Sequence, residues 1–165
     1  MDAHLIPSSA LEKANELVQA SKSHKLRISL AESCTGGMLS MLLTAVPGSS
    51  SVLDRSLVTY SNEAKQELLG VKKDTMVQYG AVSEETVREM MEGIFRHTSS
   101  DLGISISGIA GPGGGSPEKP VGLVYIGWGR RENEIQVKAY HFQGDRREVR
   151  VAACEQAMMN LLSLL

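Results

Sequence analysis

Cysteine is scarce in this chain: Cys34 and Cys154 are the two among 165 residues. They form neither a metal-ligand spacing nor a disulfide framework, so reduced thiols and no bound metal are the expectation. No apolar run approaches the roughly 18 residues that a membrane-spanning helix requires. The segment Met1 to Pro7 lacks the basic and then apolar layout of a secretory signal, which points to the cytoplasm. An excess of one charge sign is missing too. Lys+Arg 17 against Asp+Glu 19 leaves a formal net charge of −2, which supplies no overall drive toward nucleic acid. Neither nucleic acid nor a membrane is therefore an expected partner. Repeats, linkers and low-complexity tails are also lacking, so residues 1–165 are expected to form a single domain with one core and one site.

The stretch Ala31-Glu32-Ser33-Cys34-Thr35-Gly36-Gly37 organises what is present. Leu26, Ile28 and Leu30 alternate into it like a buried strand, and an apolar helical segment, Met38 to Val46, leaves it. Its polar residues thus occupy a strand-to-helix turn, where free N–H groups can hold a phosphate or an oxyanion. Upstream, Ser9 and Glu12 fit a capping box for an amphipathic helix over about 9 to 22. Downstream, Pro47 to Ser51 reads as a loop and Ser56 to Tyr60 as a short strand. Asn62 is placed to cap a helix from Glu63 to Leu69 that Gly70 terminates. This second turn gathers Tyr60, Asn62 and Lys65, and two such turns can converge at one sheet edge.

Ser83 opens a helix whose apolar stripe is Val87, Met90, Met91, Ile94 and Phe95, read as core. Leu102 to Ser107 is a third strand that empties into a glycine-rich loop, Gly108 to Pro117. That loop lacks the Gly-Lys-Ser/Thr ending of a P-loop, and a strand rather than a helix follows it, so the dinucleotide fingerprint fails on context. A phosphate nest of backbone N–H groups is one use for it and a flexible connection another. Val121 to Trp128 and Ile135 to Phe142 suggest a hairpin, and Asp145 with Glu148 resembles a capping box for a last helix. Arg146, Arg147 and Arg150 at its start could grip a phosphate or form a solvated face. The sum is an α/β protein, a three-layer α/β/α sandwich on a mixed sheet of about five strands.

Serine needs a base to become a nucleophile. None of His4, His24, His97 and His141 sits in a triad setting, which leaves Lys65 as the base available to Ser33 if burial or a cation such as Arg146 lowers its pKa. A solvated helix lysine is the alternative. Cys34 competes with Ser33, since a thiol at a helix N-terminus can be acidified, and residue chemistry alone does not choose between them. Glu32 could orient a lysine or a substrate amide, or cap local backbone.

The runs AESCTGG at 31–37, PGSS at 47–50, VTYSNEAK at 58–65, LGV at 69–71 and GAVS at 80–83 recur in order with SGIAGPGGG at 107–115, KPVG at 119–122 and GDR at 144–146. In these the chain resembles the CinA C-terminal domain family, whose stand-alone members are nicotinamide mononucleotide deamidases. The resemblance extends over nearly the whole chain from the first helix. It implies an amidohydrolase converting nicotinamide mononucleotide and water to nicotinate mononucleotide and ammonia, with no cofactor. It further implies Ser33 as nucleophile, Lys65 as base, and Tyr60, Glu32 and Arg146 as active-site members. Ser107 stands where the family often has threonine, so a hydroxyl is retained. The expected substrate contacts are N–H groups near Thr35, Gly36 and Gly37 for the oxyanion, Gly111, Gly113, Gly114 and Arg146 for the phosphate, and Ser107. Tyr60 could pack on the pyridinium ring or donate a hydrogen bond. A homodimer is expected from the general frequency of symmetric dimers. A non-catalytic nucleotide-binding module, as in competence-associated fusions of this domain, is the alternative from a different class.

Overall fold

The computed structural model describes residues 6–165. Five strands, β1 (Ile28–Glu32), β2 (Leu53–Val58), β3 (Leu102–Gly108), β4 (Leu123–Arg130) and β5 (Gln136–His141), form one sheet in the order β2-β1-β3-β4-β5. β1 pairs in parallel with β2 and β3, while β4 runs antiparallel to both of its neighbours, β3 and β5. The mixed sheet is covered on both faces. Helices α1 (Ser8–Ser23), α2 (Met38–Thr44) and α6 (Arg146–Leu162) share one apolar core with Ile28, Leu30, Leu102, Ile104 and Ile106. Helices α3 (Asn62–Leu69), α4 (Lys73–Tyr79) and α5 (Glu84–His97) build the second core around Ala31, Met90, Met91 and Ile94. The layers are those expected of the sequence.

Strand alternation in β1 directs the side chains at its end. Ile28 and Leu30 face the α1/α2/α6 side and Ala31 the α5 side, so Glu32 and Ser33, next in the alternation, are sent to opposite faces. All three parallel strands also end at the same edge of the sheet. The turn after β1, the turn after β2 and the glycine loop after β3 therefore meet there, as α/β folds with parallel strands bring their loops together.

Several boundaries differ from expectation for local reasons. Ser9 does not cap α1: its hydroxyl donates instead to Glu155 Oε1 of α6 at 2.7 Å, and Pro7 precedes the helix with no side-chain cap. Ser61, not Asn62, caps α3, its Oγ accepting the Ala64 N–H at 3.0 Å, while Gly70 ends that helix at φ 67 as expected. β2 begins at Leu53 rather than Ser56, with Asp54 and Arg55 tolerated because the strand is a sheet edge. The helix α4 was not expected; of its seven residues only Met76 is buried, too little for a periodic signal. The capping box at α6 is present, Glu148 N–H donating to Asp145 Oδ1 at 2.9 Å and Asp145 N–H to Glu148 Oε2 at 2.7 Å. The methionine stripe of α5 is core, with Val87, Met90, Met91 and Ile94 fully buried. Gly93 lets α5 approach α3 closely, because a Cβ there would stand 2.2 Å from the Leu69 carbonyl oxygen.

Candidate functional site

β1 gives way at Ser33 to a tight turn made possible by two glycines, Gly36 at φ 56 and Gly37 at φ 88, conformations that side chains disfavour. The turn is pinned at its start by Ser33 N–H donating to Ile106 O at 3.0 Å, and internally by Gly36 N–H donating to Ser33 O at 3.0 Å. Ser33 is 8% exposed. Its hydroxyl opens on a cleft of about 280 Å3 together with Lys65, Tyr60, Ser107 and Arg146.

Lys65 enters from the first turn of α3. Its Nζ donates to Ser33 Oγ at 3.1 Å and to Thr59 O at 2.8 Å, with the carbonyls of Tyr60 and Ser61 each at 3.5 Å. The side chain is 1% exposed, and no carboxylate lines the cleft around it. Burial without a counter-ion disfavours the ammonium, so the lysine is held below its ordinary value of 10.5. Burial pushes the neighbouring Cys34 thiol the other way, up to about 11, against the smaller opposing pulls of its own backbone and Arg150. Cys154 is likewise raised by burial, and both thiols are free.

Glu32 is fully buried and lies outside the cleft lining. Its carboxylate caps α2 instead, Oε2 accepting from Gly37 N at 3.0 Å and Leu39 N at 3.1 Å, and Oε1 from Ser40 N at 2.8 Å. A helix shorter than three turns, with no polar cap of its own, is anchored to the strand end by this one side chain. Thr35, Gly36 and Gly37 do not line the cleft either. The N–H groups of Gly36 and Gly37 are committed to Ser33 O and Glu32, so these residues shape the turn and present no donor to a ligand.

Arg146, at the start of α6, ties two walls together: Nη1 donates to Gly111 O at 2.7 Å and Nη2 to Tyr60 OH at 2.8 Å. Tyr60 is 58% exposed and lines the cleft. Ser107, at the end of β3, donates to Ala81 O at 2.8 Å, which fixes the segment between α4 and α5 as a further wall. Gly111, Gly113 and Gly114 line the cleft, and Asn62, Val82 and Ile109 join them. Asn62 was placed by sequence beside Tyr60 and Lys65 in the second turn, while Val82 and Ile109 fall within the GAVS and SGIAGPGGG runs without being singled out as site residues. Arg150 reaches back from α6 to donate to Thr35 O at 2.7 Å. The three histidines among the described residues, His24, His97 and His141, are exposed and away from the cleft, and His4 lies outside the described residues. Among the described residues no His, Cys, Asp or Glu group could hold a metal ion, and no helix is long and apolar enough to cross a membrane.

These features define a class: an α/β/α sandwich on a mixed sheet that buries a serine and a lysine against each other where its parallel strands end. The family profile described as CinA C-terminal domain matches residues 10–165. The chain belongs to that family. A CinA-like protein of Thermotoga maritima is 49% identical over 151 residues, 91% of this chain and 36% of that protein. A CinA-like protein of Fusobacterium nucleatum is 53% identical over 140 residues, 85% of this chain and 34% of that protein. The chain thus spans 34% to 36% of the length of these curated relatives. The crystal structure of the competence/damage inducible protein CihA from Agrobacterium tumefaciens superimposes with a TM-score of 0.94 at 38% identity, covering 99% of each chain. A CinA superfamily protein from Escherichia coli does so with a TM-score of 0.89 at 30% identity, over 100% of this chain and 99% of that one.

Proposed function

We propose that this chain hydrolyses the carboxamide of nicotinamide mononucleotide to nicotinate mononucleotide and ammonia, with Ser33 as nucleophile and Lys65 as its base. The observation that carries this is the 3.1 Å contact between Lys65 Nζ and Ser33 Oγ in a site where the lysine is buried without a counter-ion. A neutral amine has two N–H groups and one lone pair. Thr59 O and the carbonyls of Tyr60 and Ser61 accept the N–H groups, which turns the lone pair to the Ser33 hydroxyl.

Ser33 Oγ bonds to the carboxamide carbon as its proton passes to Lys65, and the carbonyl oxygen becomes an oxyanion. With the Gly36 and Gly37 N–H groups committed elsewhere and Thr35 outside the cleft, the Cys34 N–H is the donor the turn offers to that oxyanion; it is not paired with a backbone carbonyl among the described residues. The C–N bond then breaks as Lys65 returns its proton to the leaving nitrogen, which departs as ammonia. Water repeats the sequence on the acyl-enzyme: its proton goes to Lys65, its oxygen to the carbon, and Ser33 leaves with the proton. Cys34 is disfavoured as the attacking group because a thiol pushed up to about 11 is scarcely ionised near neutrality. The Tyr60 hydroxyl is already engaged by Arg146, which leaves its exposed ring to pack on the cationic pyridinium.

Ammonia release from nicotinamide mononucleotide by purified protein, with Ser33→Ala as control, tests the proposal. Release by the wild type and none by the variant is expected. Retained nucleotide binding with no release at any pH supports the non-catalytic module instead. A cytoplasmic homodimer is part of the same proposal.

A further inference from the structure

The Ser33 cleft carries two basic side chains, Lys65 and Arg146, and no carboxylate. The amide proposed for it is borne on a pyridinium, whose ring nitrogen is a permanent cation meta to the carboxamide. A charge that near the reacting carbon is also near Lys65 Nζ, which lies 3.1 Å from the attacking oxygen. Arg146 is turned aside onto Gly111 O and Tyr60 OH. Lys65 cannot turn aside: it is buried, and its partners are Ser33 Oγ and three backbone carbonyls. Among the described residues no neighbouring element supplies it with an anion. Glu32 spends its carboxylate on N–H groups of the Gly37–Ser40 segment, at the opposite face of the sheet. From α6, Arg146 and Arg150 add positive charge, Arg150 lying against Thr35 O. On α5, Glu89 accepts from Lys72 N and the Thr75 hydroxyl, and Arg96 donates to Leu69 O. Glu63 and Glu67 of α3 are exposed, and the Cys34 thiol, pushed up to about 11 by burial, is un-ionised near neutrality.

We propose that the ring charge of the substrate and the proton of Lys65 exclude one another, so that binding of the cationic nucleotide expels the proton and keeps the base neutral for the attack. The inference rests on the amide-hydrolysis reading above and names its substrate class: carboxamides on permanently cationic heteroaromatic rings. Two like charges this close, inside a cleft with no acid, repel strongly enough to shift a protonation equilibrium by about tenfold or more. The lack of an acid then has a use. A carboxylate would hold the ring firmly, but it would hold the ammonium on Lys65 as well. The exposed aromatic face of Tyr60 attracts the ring cation without favouring the lysine proton to the same degree. A neutral ring of the same shape leaves Lys65 free to keep its proton, and is discriminated against most on the acid side.

The test compares nicotinamide mononucleotide with benzamide riboside 5′-phosphate, in which carbon replaces the ring nitrogen: carboxamide, ribose and phosphate are kept and the charge is lost. Each is titrated by calorimetry into Ser33→Ala, where Lys65 keeps its bond to Thr59 O, in buffers of different ionisation enthalpy from acid to mildly alkaline pH. The nucleotide should release a proton on binding, and its affinity relative to the isostere should rise with pH by at least about tenfold before levelling off. The shared phosphate cancels in that ratio. In Lys65→Met the ratio should be flat. In the wild type, the acid limb of kcat, which reports the complex, should lie at lower pH than that of kcat/KM, which reports the free enzyme. A ratio independent of pH in Ser33→Ala, or coincident limbs in the wild type, overturns the inference. If ammonia is released all the same, the amidase reading stands and this inference alone falls; a nucleotide neither bound nor hydrolysed removes both.

Discussion

Lys65 Nζ and Ser33 Oγ meet at 3.1 Å across 32 positions of sequence, with the lysine 1% exposed. Two strand-to-helix turns at the same sheet edge bring them together, and burial away from water lowers the lysine pKa. In the proposed reaction these are the base and the nucleophile, and they are in hydrogen-bond contact without any substrate.

Turnover should depend on the hydroxyl and not on the adjacent thiol. Ser33→Ala is expected to reduce kcat by roughly a thousandfold or more, the scale seen when a nucleophile is removed from a coupled unit. Cys34→Ala should stay within about tenfold of wild type, because Cys34 acts by filling space beside the turn. Steady-state ammonia release measures both, and the reverse order would give the attack to Cys34.

Activity should fall on the acid side through the lowered pKa of Lys65, by about tenfold per pH unit once the amine is largely protonated. Stability supplies an independent reading of the same shift. Unfolded, Lys65 titrates near its ordinary 10.5; folded, it titrates lower, so between the two values the unfolded chain binds the extra proton. Wild-type stability measured against Lys65→Met should therefore rise with pH across that window, by at most about 1.4 kcal/mol per unit, and level off above 10.5. Below the folded pKa the difference should be flat. Denaturant unfolding of both proteins across this range checks the sign, and a difference that fell with rising pH would contradict an uncompensated buried amine.

Glu32 holds the turn that carries Ser33, and in the proposed reaction it would act through that turn. Glu32→Ala leaves the N–H groups of Gly37, Leu39 and Ser40 without their acceptor, and should cost about 2–4 kcal/mol of stability. Glu32→Gln keeps one carbonyl acceptor and should cost less. In either variant that folds, kcat should drop with KM little changed, since no substrate contact is lost. A rise in KM alone would mean that Glu32 touches the ligand.

Much of this was legible beforehand. Strong periodicity revealed β1, α5 and α6, and polar residues trapped between apolar segments revealed the Ser33 and Lys65 turns. What stayed hidden was set by tertiary partners. Ser9 looked like a cap until Glu155 of α6 claimed its hydroxyl, and Gly36 and Gly37 looked like oxyanion donors until Ser33 O and Glu32 claimed their N–H groups. Glu32 could be placed beside the serine by sequence, but its burial on the opposite face follows only from strand alternation in the assembled sheet. Helix α4, with one buried residue, carried no pattern to read.

Tyr60 separates two functions in one side chain. Tyr60→Phe removes the hydroxyl that accepts from Arg146 and keeps the ring, so KM for nicotinamide mononucleotide should rise only a few-fold. Tyr60→Ala removes the face that the proposed binding mode offers to the pyridinium and should raise KM by roughly ten- to thirtyfold. Equal losses in the two variants would make the hydroxyl, not the ring, the working part.

The most direct test is mass spectrometry of protein quenched during turnover of nicotinamide mononucleotide, with peptide mapping of the segment that contains both Ser33 and Cys34. An acyl group on Ser33, absent from Ser33→Ala and slow to form in Lys65→Met, is the predicted result. An acyl group on Cys34, or full turnover by Ser33→Ala, would contradict it.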